Sequence, residues 1–270
     1  MVTMTDQPTG TVEEWIHYLT HDRNSSPNTI RRYGRVLAQI PDPLTADAAD
    51  LQAWWDSHLD KSAATRAGDL SAVRAYYRWT ARRGLRTDDP SRALEAPKVR
   101  NAYPRLIGQA DMARILTHAT DDRPDLRRAI ALGLYGGMRI HEAAKARWSD
   151  VDLEQRLVYI VGKGGWERVI PASVRLLDLT LPAVEGGNIV TSGSRGMSVD
   201  ALGRACNRII QSVAPGHSFH DLRKRGASLM LSQGVSMTSV RRFFGWRSLA
   251  TVEHYAVVSD DELRNAAELI

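Results

Sequence analysis

The sequence predicts a mainly α-helical protein of two parts: an N-terminal helical module and a C-terminal α+β domain with a small antiparallel sheet. Three observations predict it. Apolar residues recur at helical spacing through the first hundred positions, with no strand-like alternation. One β-rich stretch, Leu157–Val161 and Glu167–Ile170, flanks the glycine-rich tip Gly162-Lys163-Gly164-Gly165 and reads as a hairpin. Between the two regions, residues 95–105 carry Pro97, Lys98, Arg100 and Pro104 with little apolar content, the composition of a linker.

The elements follow in order. Thr11-Val-Glu-Glu14 is a capping box, in which hydroxyl and carboxylate satisfy the free donors of a helix start, and Trp15, Ile16 and Leu19 follow at helical spacing. Ser26-Pro27 offers an N-cap and a proline at the first helical position, with Ile30, Tyr33 and Leu37 as the buried stripe. Pro41 and Pro43 interrupt the chain. A third helix carries Leu51, Trp54, Trp55 and Leu59. A fourth runs from about Ser62 to Arg82, with Leu70, Val73 and Tyr77 on one face and Arg66, Arg74 and Arg78 on another. Gly84 ends it, and Asp89-Pro90 begins a turn. Beyond the linker, helical patterns over Gln109–Thr120, Pro124–Tyr135, Ser198–Val213 and Leu222–Gln233 surround the hairpin. Ser259-Asp-Asp-Glu262 is another capping box, opening a short last helix with Leu263, Ala266, Ala267 and Ile270 on its apolar face. The expected organisation is a helical module at 1–97, a linker at 98–105 and a second domain at 106–270.

Composition bounds the class. At 270 residues the chain fits two domains, and 43% hydrophobic with 25% charged residues excludes a disordered, collagen-like or disulfide-stapled protein. The single cysteine, Cys206, has no partner within the chain, which points to a reducing compartment. The polar N-terminus does not read as a signal peptide, and no apolar run approaches the roughly 20 residues of a membrane span, so the expectation is a soluble, cytoplasmic protein. The net charge is only +5, divided as 14 cations against 13 anions in residues 1–100 and 22 against 18 in the rest. Any nucleic-acid contact must therefore come from clustered charge. Of 36 cations only five are lysine. Such an arginine excess fits phosphate recognition by planar forks and fits a GC-rich genome equally.

Four clusters in the second half could carry chemistry. Arg139-Ile-His-Glu142 places a carboxylate three residues from a guanidinium, an orienting pair or an ordinary surface ion pair. Lys163 sits between glycines at the hairpin tip, where a lysine can also be a simple solvated charge. His217-Ser-Phe-His220-Asp-Leu-Arg223 sets two histidines three apart, but nothing nearby completes a metal site, so no metal is expected. His220 and Arg223 can instead address one anion together. The fourth cluster, Gly245-Trp246 and Tyr255, is by itself only aromatic.

In combination these residues resemble the tyrosine recombinases, the phage-integrase family, over the whole chain beyond the first ten or so residues. Arg139 with Glu142 matches the family's Arg-x-x-Glu; Lys163, 24 residues on, its hairpin lysine; His220-x-x-Arg223 its His-x-x-Arg box. Trp246 follows 23 residues after Arg223, and Tyr255 falls nine further, where the family has its nucleophile. The resemblance implies a SAM-like core-DNA-binding module and a catalytic domain that together clamp double-stranded DNA. It implies strand cleavage and rejoining through a 3′-phosphotyrosine on Tyr255 and a Holliday junction, with no cofactor. Arg139 and Arg223 would neutralise the phosphoryl oxygens, Glu142 would support Arg139, His220 would take or orient the tyrosine proton and Lys163 would protonate the leaving 5′ oxygen. Trp246 departs from the commoner histidine: indole donates one hydrogen bond but cannot shuttle a proton.

The resemblance also implies DNA contacts through Arg31, Arg32 and Arg35 on the second helix, Arg66, Arg74 and Arg78 on the fourth, and Lys98 and Arg100 in the linker. Solvated helix faces are the alternative for each. It further implies a homotetramer on two DNA attachment sites, with the last helix docking in cis or on a neighbouring protomer. With about ten residues ahead of the first helix, no separate arm-binding domain is expected. Integration of a phage-type element is the expected role, with resolution, inversion or an idle DNA-binding accessory protein as alternatives.

Overall fold

A computed structural model describes residues 10–99, 105–118, 123–161, 167–181, 187–192, 195–253, 255–256 and 267–268. The chain divides into two compact units, residues 1–101 and 102–270.

In the first unit four helices, α1 (Val12–His21), α2 (Pro27–Leu37), α3 (Ala48–Asp56) and α4 (Ala63–Arg82), are followed by a 3₁₀ turn at Pro90–Ala93. Their starts are set by side chains visible in the sequence. Thr11, Ser26, Asp47 and Ser62 each accept a backbone N–H from the first turn. The core is aromatic. Trp15 stacks on Tyr33 with centroids 5.5 Å apart and meets Tyr76 edge-on at 5.6 Å. The buried Tyr76 and Tyr77 hydroxyls donate to the carbonyls of Gly10 and Pro43 at 2.6 and 2.8 Å, so their polar ends are satisfied. One expectation fails here. Helix α3 ends at Asp56 and leaves Leu59 60% exposed; the next turn buries His58 instead, its ring nitrogens against the Trp54 carbonyl at 2.7 Å and Gln39 Oε1 at 2.9 Å.

In the second unit α5 (Gln109–His118), α6 (Pro124–Leu134), α7 (Ile140–Ala143), α8 (Val174–Thr180), α9 (Val199–Val213) and the start of α10 (Phe219–Ser232) pack around a main core, while α11 (Met237–Phe244) and α12 (Leu249–Glu253) close a smaller cluster of Ala227, Val240, Phe244 and Val252 against α10. The sheet runs β1 (Val151–Asp152), β2 (Leu157–Val161) and β3 (Glu167–Pro171), all antiparallel, with Tyr159 opposite Val169. A second ribbon pairs β4 (Thr191–Ser192) with β5 (Arg195–Gly196). On the main sheet Val158, Ile160 and Ile170 face the core, while Tyr159, Val161 and Val169 stay exposed, the period-2 split of a half-buried sheet.

Helix α10 begins three residues before the hydrophobic pattern suggested. Asp221 accepts from the Ser218 N–H at 2.7 Å and its hydroxyl at 2.9 Å, and Asn207 Oδ1 accepts the Phe219 N–H at 2.8 Å. The buried Phe219 then belongs to the helix, and His220 stands in its first turn. Helix α6 meets α10 at very close range: a Cβ on Gly226 would lie 2.4 Å from the Leu134 carbonyl oxygen, so only glycine fits. That contact fixes α10, and with it Arg223, against the helix that leads to Arg139. No described helix is long and apolar enough to cross a membrane.

Candidate active site

The centre of the second unit's site is a carboxylate. Glu142, on the one-turn helix α7, is 4% exposed and accepts hydrogen bonds on both oxygens. Oε2 takes the backbone N–H of Arg139 at 2.8 Å and Arg168 Nη2 at 2.9 Å; Oε1 takes Arg139 Nη1 at 2.8 Å and Arg168 Nη1 at 3.2 Å. Arg223 Nη1 lies 3.9 Å from Oε2. Burial alone would push this carboxyl's pKa up, but the hydrogen bonds from Arg168 and Arg139 outweigh it and hold the value at about 2. Glu142 is therefore a permanent anion, and the Arg-x-x-Glu pair is no loose surface bridge.

Around it stand three guanidiniums. Arg139 is half-buried at the N-cap of α7. Arg223, in the interior of α10, is 0% exposed; one nitrogen donates to the Phe244 carbonyl at 2.6 Å. Among the described residues its Nε and Nη1 have no hydrogen-bond partner. Its carbon lies 5.3 Å from the Phe244 ring centroid and 5.7 Å from that of Trp246. Burial, then the neighbouring charge of Arg139, lower its pKa to about 9. Among the described residues, Arg223 shares its nearest carboxylate, Glu142, with Arg139 and Arg168, a local excess of positive charge.

The aromatic residues complete the wall. Gly245 ends α11 in the left-handed region (φ +61), which a side chain disfavours, and the turn sends Trp246 back over Arg223. Trp246 stacks between Phe244, centroids 5.0 Å apart, and Tyr255, 5.1 Å apart. Tyr255 is 8% exposed. His220 lies at the surface with its inner edge crowded by protein. That desolvation first, then the charges of Arg223 and Lys224, hold its pKa below the ordinary histidine value, so the neutral, proton-accepting ring is favoured. His217 stands 4.0 Å from Asp221, and among the described residues no three His, Cys, Asp or Glu side chains gather as a metal site needs.

The structure thus brings Arg139, Glu142, Arg223, Trp246 and Tyr255 together, with His220 in electrostatic reach. Lys163 lies outside the described residues, as does Arg100, and so does almost all of the expected last helix. Sequence reasoning missed Arg168. Its only visible signal was a charged residue in β3, whose alternate positions are apolar.

In the first unit the predicted DNA-contacting cations divide. Arg31, Arg35, Arg78 and Lys98 are exposed. Arg32 pairs with Asp69 at 3.1 Å, Arg66 lies over the Trp55 ring at 4.5 Å, and Arg74 donates to the Leu94 carbonyl at 2.7 Å. A groove between α2 and the start of α4 is lined by Arg32, Arg35, Lys61 and Asp69.

Comparison with known proteins identifies the family. The sequence pattern of the "Phage integrase family" matches residues 105–262, and that of the "Phage integrase, N-terminal SAM-like domain" matches 12–84. The chain is 32% identical to tyrosine recombinase XerC of Corynebacterium efficiens, over 94% of this chain and 89% of that protein. It is 28% identical to tyrosine recombinase XerD of Neisseria meningitidis, over 93% and 94%. Among solved structures, a lambda integrase dimer bound to a COC' core site shares the fold, with a TM-score of 0.74 at 20% identity over 90% of this chain and 75% of that one. The chain belongs to the phage integrase family of tyrosine recombinases, enzymes that cleave and rejoin DNA.

Proposed function

We propose that this chain is a site-specific recombinase that cleaves one DNA strand through Tyr255, leaving a 3′-phosphotyrosine and a free 5′-hydroxyl, and rejoins it when a second 5′-hydroxyl attacks. The observation that carries this reading is the buried Arg223, beside Arg139 and under the Trp246–Tyr255 stack, whose Nε and Nη1 have no hydrogen-bond partner among the described residues. A phosphodiester would supply the negative charge this site lacks. Arg139 and Arg223 stabilise the charge that develops on the phosphoryl oxygens, and the Trp246 N–H adds a donor. A tyrosine hydroxyl is a weak nucleophile at neutral pH until a base takes its proton; His220, kept neutral, is that base or orients it. Lys163 protonates the departing 5′ oxygen. The phosphotyrosine stores the bond energy, so the cycle needs no nucleotide cofactor. The gathering of Arg139, Arg223, Trp246 and Tyr255 about Glu142 weighs against an idle accessory protein.

The helical module, residues 1–97 with the linker at 98–105, holds the duplex through Arg31, Arg35, Arg78, Lys98 and Arg100. Arg32, Arg66 and Arg74 support that face through their own internal contacts. Four copies act on two sites in the cytoplasm through a Holliday junction, the last helix docking on a neighbouring protomer. The finer role we infer is integration of a phage-type element. Resolution or inversion would use the same chemistry, and the relatives named XerC and XerD favour keeping that second reading in the test.

The test is a pool of nicked duplexes with a randomised core, incubated with the native chain and with Tyr255→Phe and resolved under denaturing conditions. A covalent protein–DNA band from the native chain alone is expected. A native chain that binds duplex but forms no such band sinks the enzymatic reading. Captured sites placed on one or on two circular plasmids then separate resolution and inversion from integration.

A further inference from the structure

Arg168 lies in β3, outside every motif that marks the site in the sequence, and its guanidinium is almost wholly used. Nη1 and Nη2 grip the two oxygens of Glu142 at 3.2 and 2.9 Å. Nη2 also donates to the Gly137 carbonyl at 3.3 Å, and Nε donates to the Phe243 carbonyl at 3.1 Å. The side chain is 10% exposed. These acceptors sit on two separate segments, the Gly137–Glu142 turn that carries Arg139 and the end of α11 just before Trp246.

The end of α11 gives the contact its meaning. The last carbonyls of a helix have no partner within it and carry its negative dipole end. Here Phe243 O is taken by Arg168 and Phe244 O by Arg223 at 2.6 Å, so two guanidiniums dock this helix end. Gly245 leaves the room: a Cβ there would come within 3.0 Å of Arg168 Cδ. Arg168 and Arg223 therefore differ in kind. The fork of Arg168 ends on protein at every nitrogen, whereas among the described residues Arg223 Nε and Nη1 have no hydrogen-bond partner.

We infer that Arg168 is a positioning residue for strand cleavage: it ties the Arg139–Glu142 turn to the end of α11, so that Arg139, Arg223 and the Trp246–Tyr255 stack hold one arrangement. The inference rests on the recombinase reading. A lysine could not replace it, because one ammonium cannot reach a carboxylate and two carbonyls in fixed directions. Without Arg168 the Glu142 carboxylate loses half its donors, Arg139 loses its fixed counterpart, and the Phe243 carbonyl is left unpaired. Misplacement of about 1 Å in such a site costs about 10² in rate.

The test compares native chain, Arg168→Met, Arg168→Lys and Arg168→Met/Glu142→Gln on a duplex captured by the native chain, reading cleavage rate, duplex affinity, melting temperature and the pH profile of cleavage. Arg168→Met is expected to cleave about 10²-fold more slowly with duplex affinity retained, and Arg168→Lys to recover only part of the loss. Glu142 is faced by Arg139 from α7, Arg168 from β3 and Arg223 from α10, with His141 beside it. Removing Arg168 releases the carboxyl to titrate at higher pH. Arg168→Met should therefore lose rate on the acid side at a pH where the native chain does not, and the double variant should lose that limb, since an amide cannot titrate. A merely structural role would lower the melting temperature without adding the limb. Should Arg168→Met fail to melt cooperatively, Arg168→Lys carries the same comparison. Cleavage by the Arg168 variants at native rate and with the native profile overturns the inference while leaving the recombinase reading intact. A native chain with no Tyr255-dependent band overturns both.

Discussion

The two units use arginine in opposite ways. In the helical module Arg32 pairs with Asp69 and Arg74 with a carbonyl, while Arg31, Arg35 and Arg78 reach into solvent. Apart from Arg32 and Lys61, which share Asp69, no two of these cations share a carboxylate among the described residues, and Arg31, Arg35 and Arg78 are open to solvent. In the second unit Arg139, Arg168 and Arg223 converge on the one buried carboxylate of Glu142, and Arg223 has no solvent at all. Screened arginines hold a surface ready for a polyanion, with little dependence of one on another. Converging buried arginines hold a local charge imbalance that a single phosphate would relieve. The first arrangement can lose a member cheaply; the second cannot.

The comparison breaks most severely at Glu142. Glu142→Gln removes the carboxylate that, among the described residues, three guanidiniums share, and should cost about 3–5 kcal/mol of stability, as loss of one partner from a buried ionic cluster does. The pH dependence carries the same signature. The carboxyl is held at about 2 in the folded chain against an ordinary 4.5. Its contribution is therefore complete above the unfolded value and is lost as pH falls from 4.5 towards 2. At 1.36 kcal/mol per unit that amounts to about 3 kcal/mol. Acid unfolding of the native chain should steepen across that window, and in Glu142→Gln this component should be absent. Equal acid transitions in the two would mean that Glu142 is not held as the geometry implies.

At Arg223 stability and rate should part company. Arg223→Met is expected to slow Tyr255-dependent cleavage by about 10²–10³, the loss seen when one donor to a developing oxyanion is removed. Its melting temperature should fall less than that of Glu142→Gln, because Arg223 lies 3.9 Å from Glu142 Oε2 and among the described residues its Nε and Nη1 have no hydrogen-bond partner. A large fall in melting temperature with no loss of rate would make Arg223 a structural residue.

What the sequence discloses follows the range of the interactions. Helix starts are local: Thr11, Ser26 and Ser62 cap turns three residues away, so they can be read directly. The Arg139–Glu142 pair is equally short-range. Leu59 misleads because an apolar residue at helical spacing does not show that α3 has already ended at Asp56. The start of α10 is hidden because its cap depends partly on Asn207, twelve residues upstream. Arg168 is the extreme case. Its partners lie 26, 31 and 75 residues away, and no periodicity encodes them. Two-residue strands such as β1 are too short to leave any pattern.

The smallest effects belong to the helical module, where they sharpen the contrast between cations that face solvent and cations used at home. Arg31 and Arg35 lie on the same helix as Arg32, within two turns of one another; Arg31 donates to the neutral Asn28 side chain, whereas Arg32 is paired with the Asp69 carboxylate. Arg31→Ala or Arg35→Ala should leave melting unchanged and flatten the dependence of log affinity for duplex on log salt by about one unit each, as loss of one phosphate contact does. Arg32→Ala removes the nearer partner of the buried Asp69, leaving Lys61 at 3.7 Å. With Arg32 itself largely hydrated, that should cost at most about 1 kcal/mol of stability and move the salt slope less. The measurements are thermal melts and duplex titrations across a range of salt. Identical slopes for all three variants would erase the distinction between exposed and internally paired cations. A slope change at Arg32 as large as at Arg35 would show that a phosphate displaces Asp69 from Arg32, which turns an internal ion pair into a competitor for DNA.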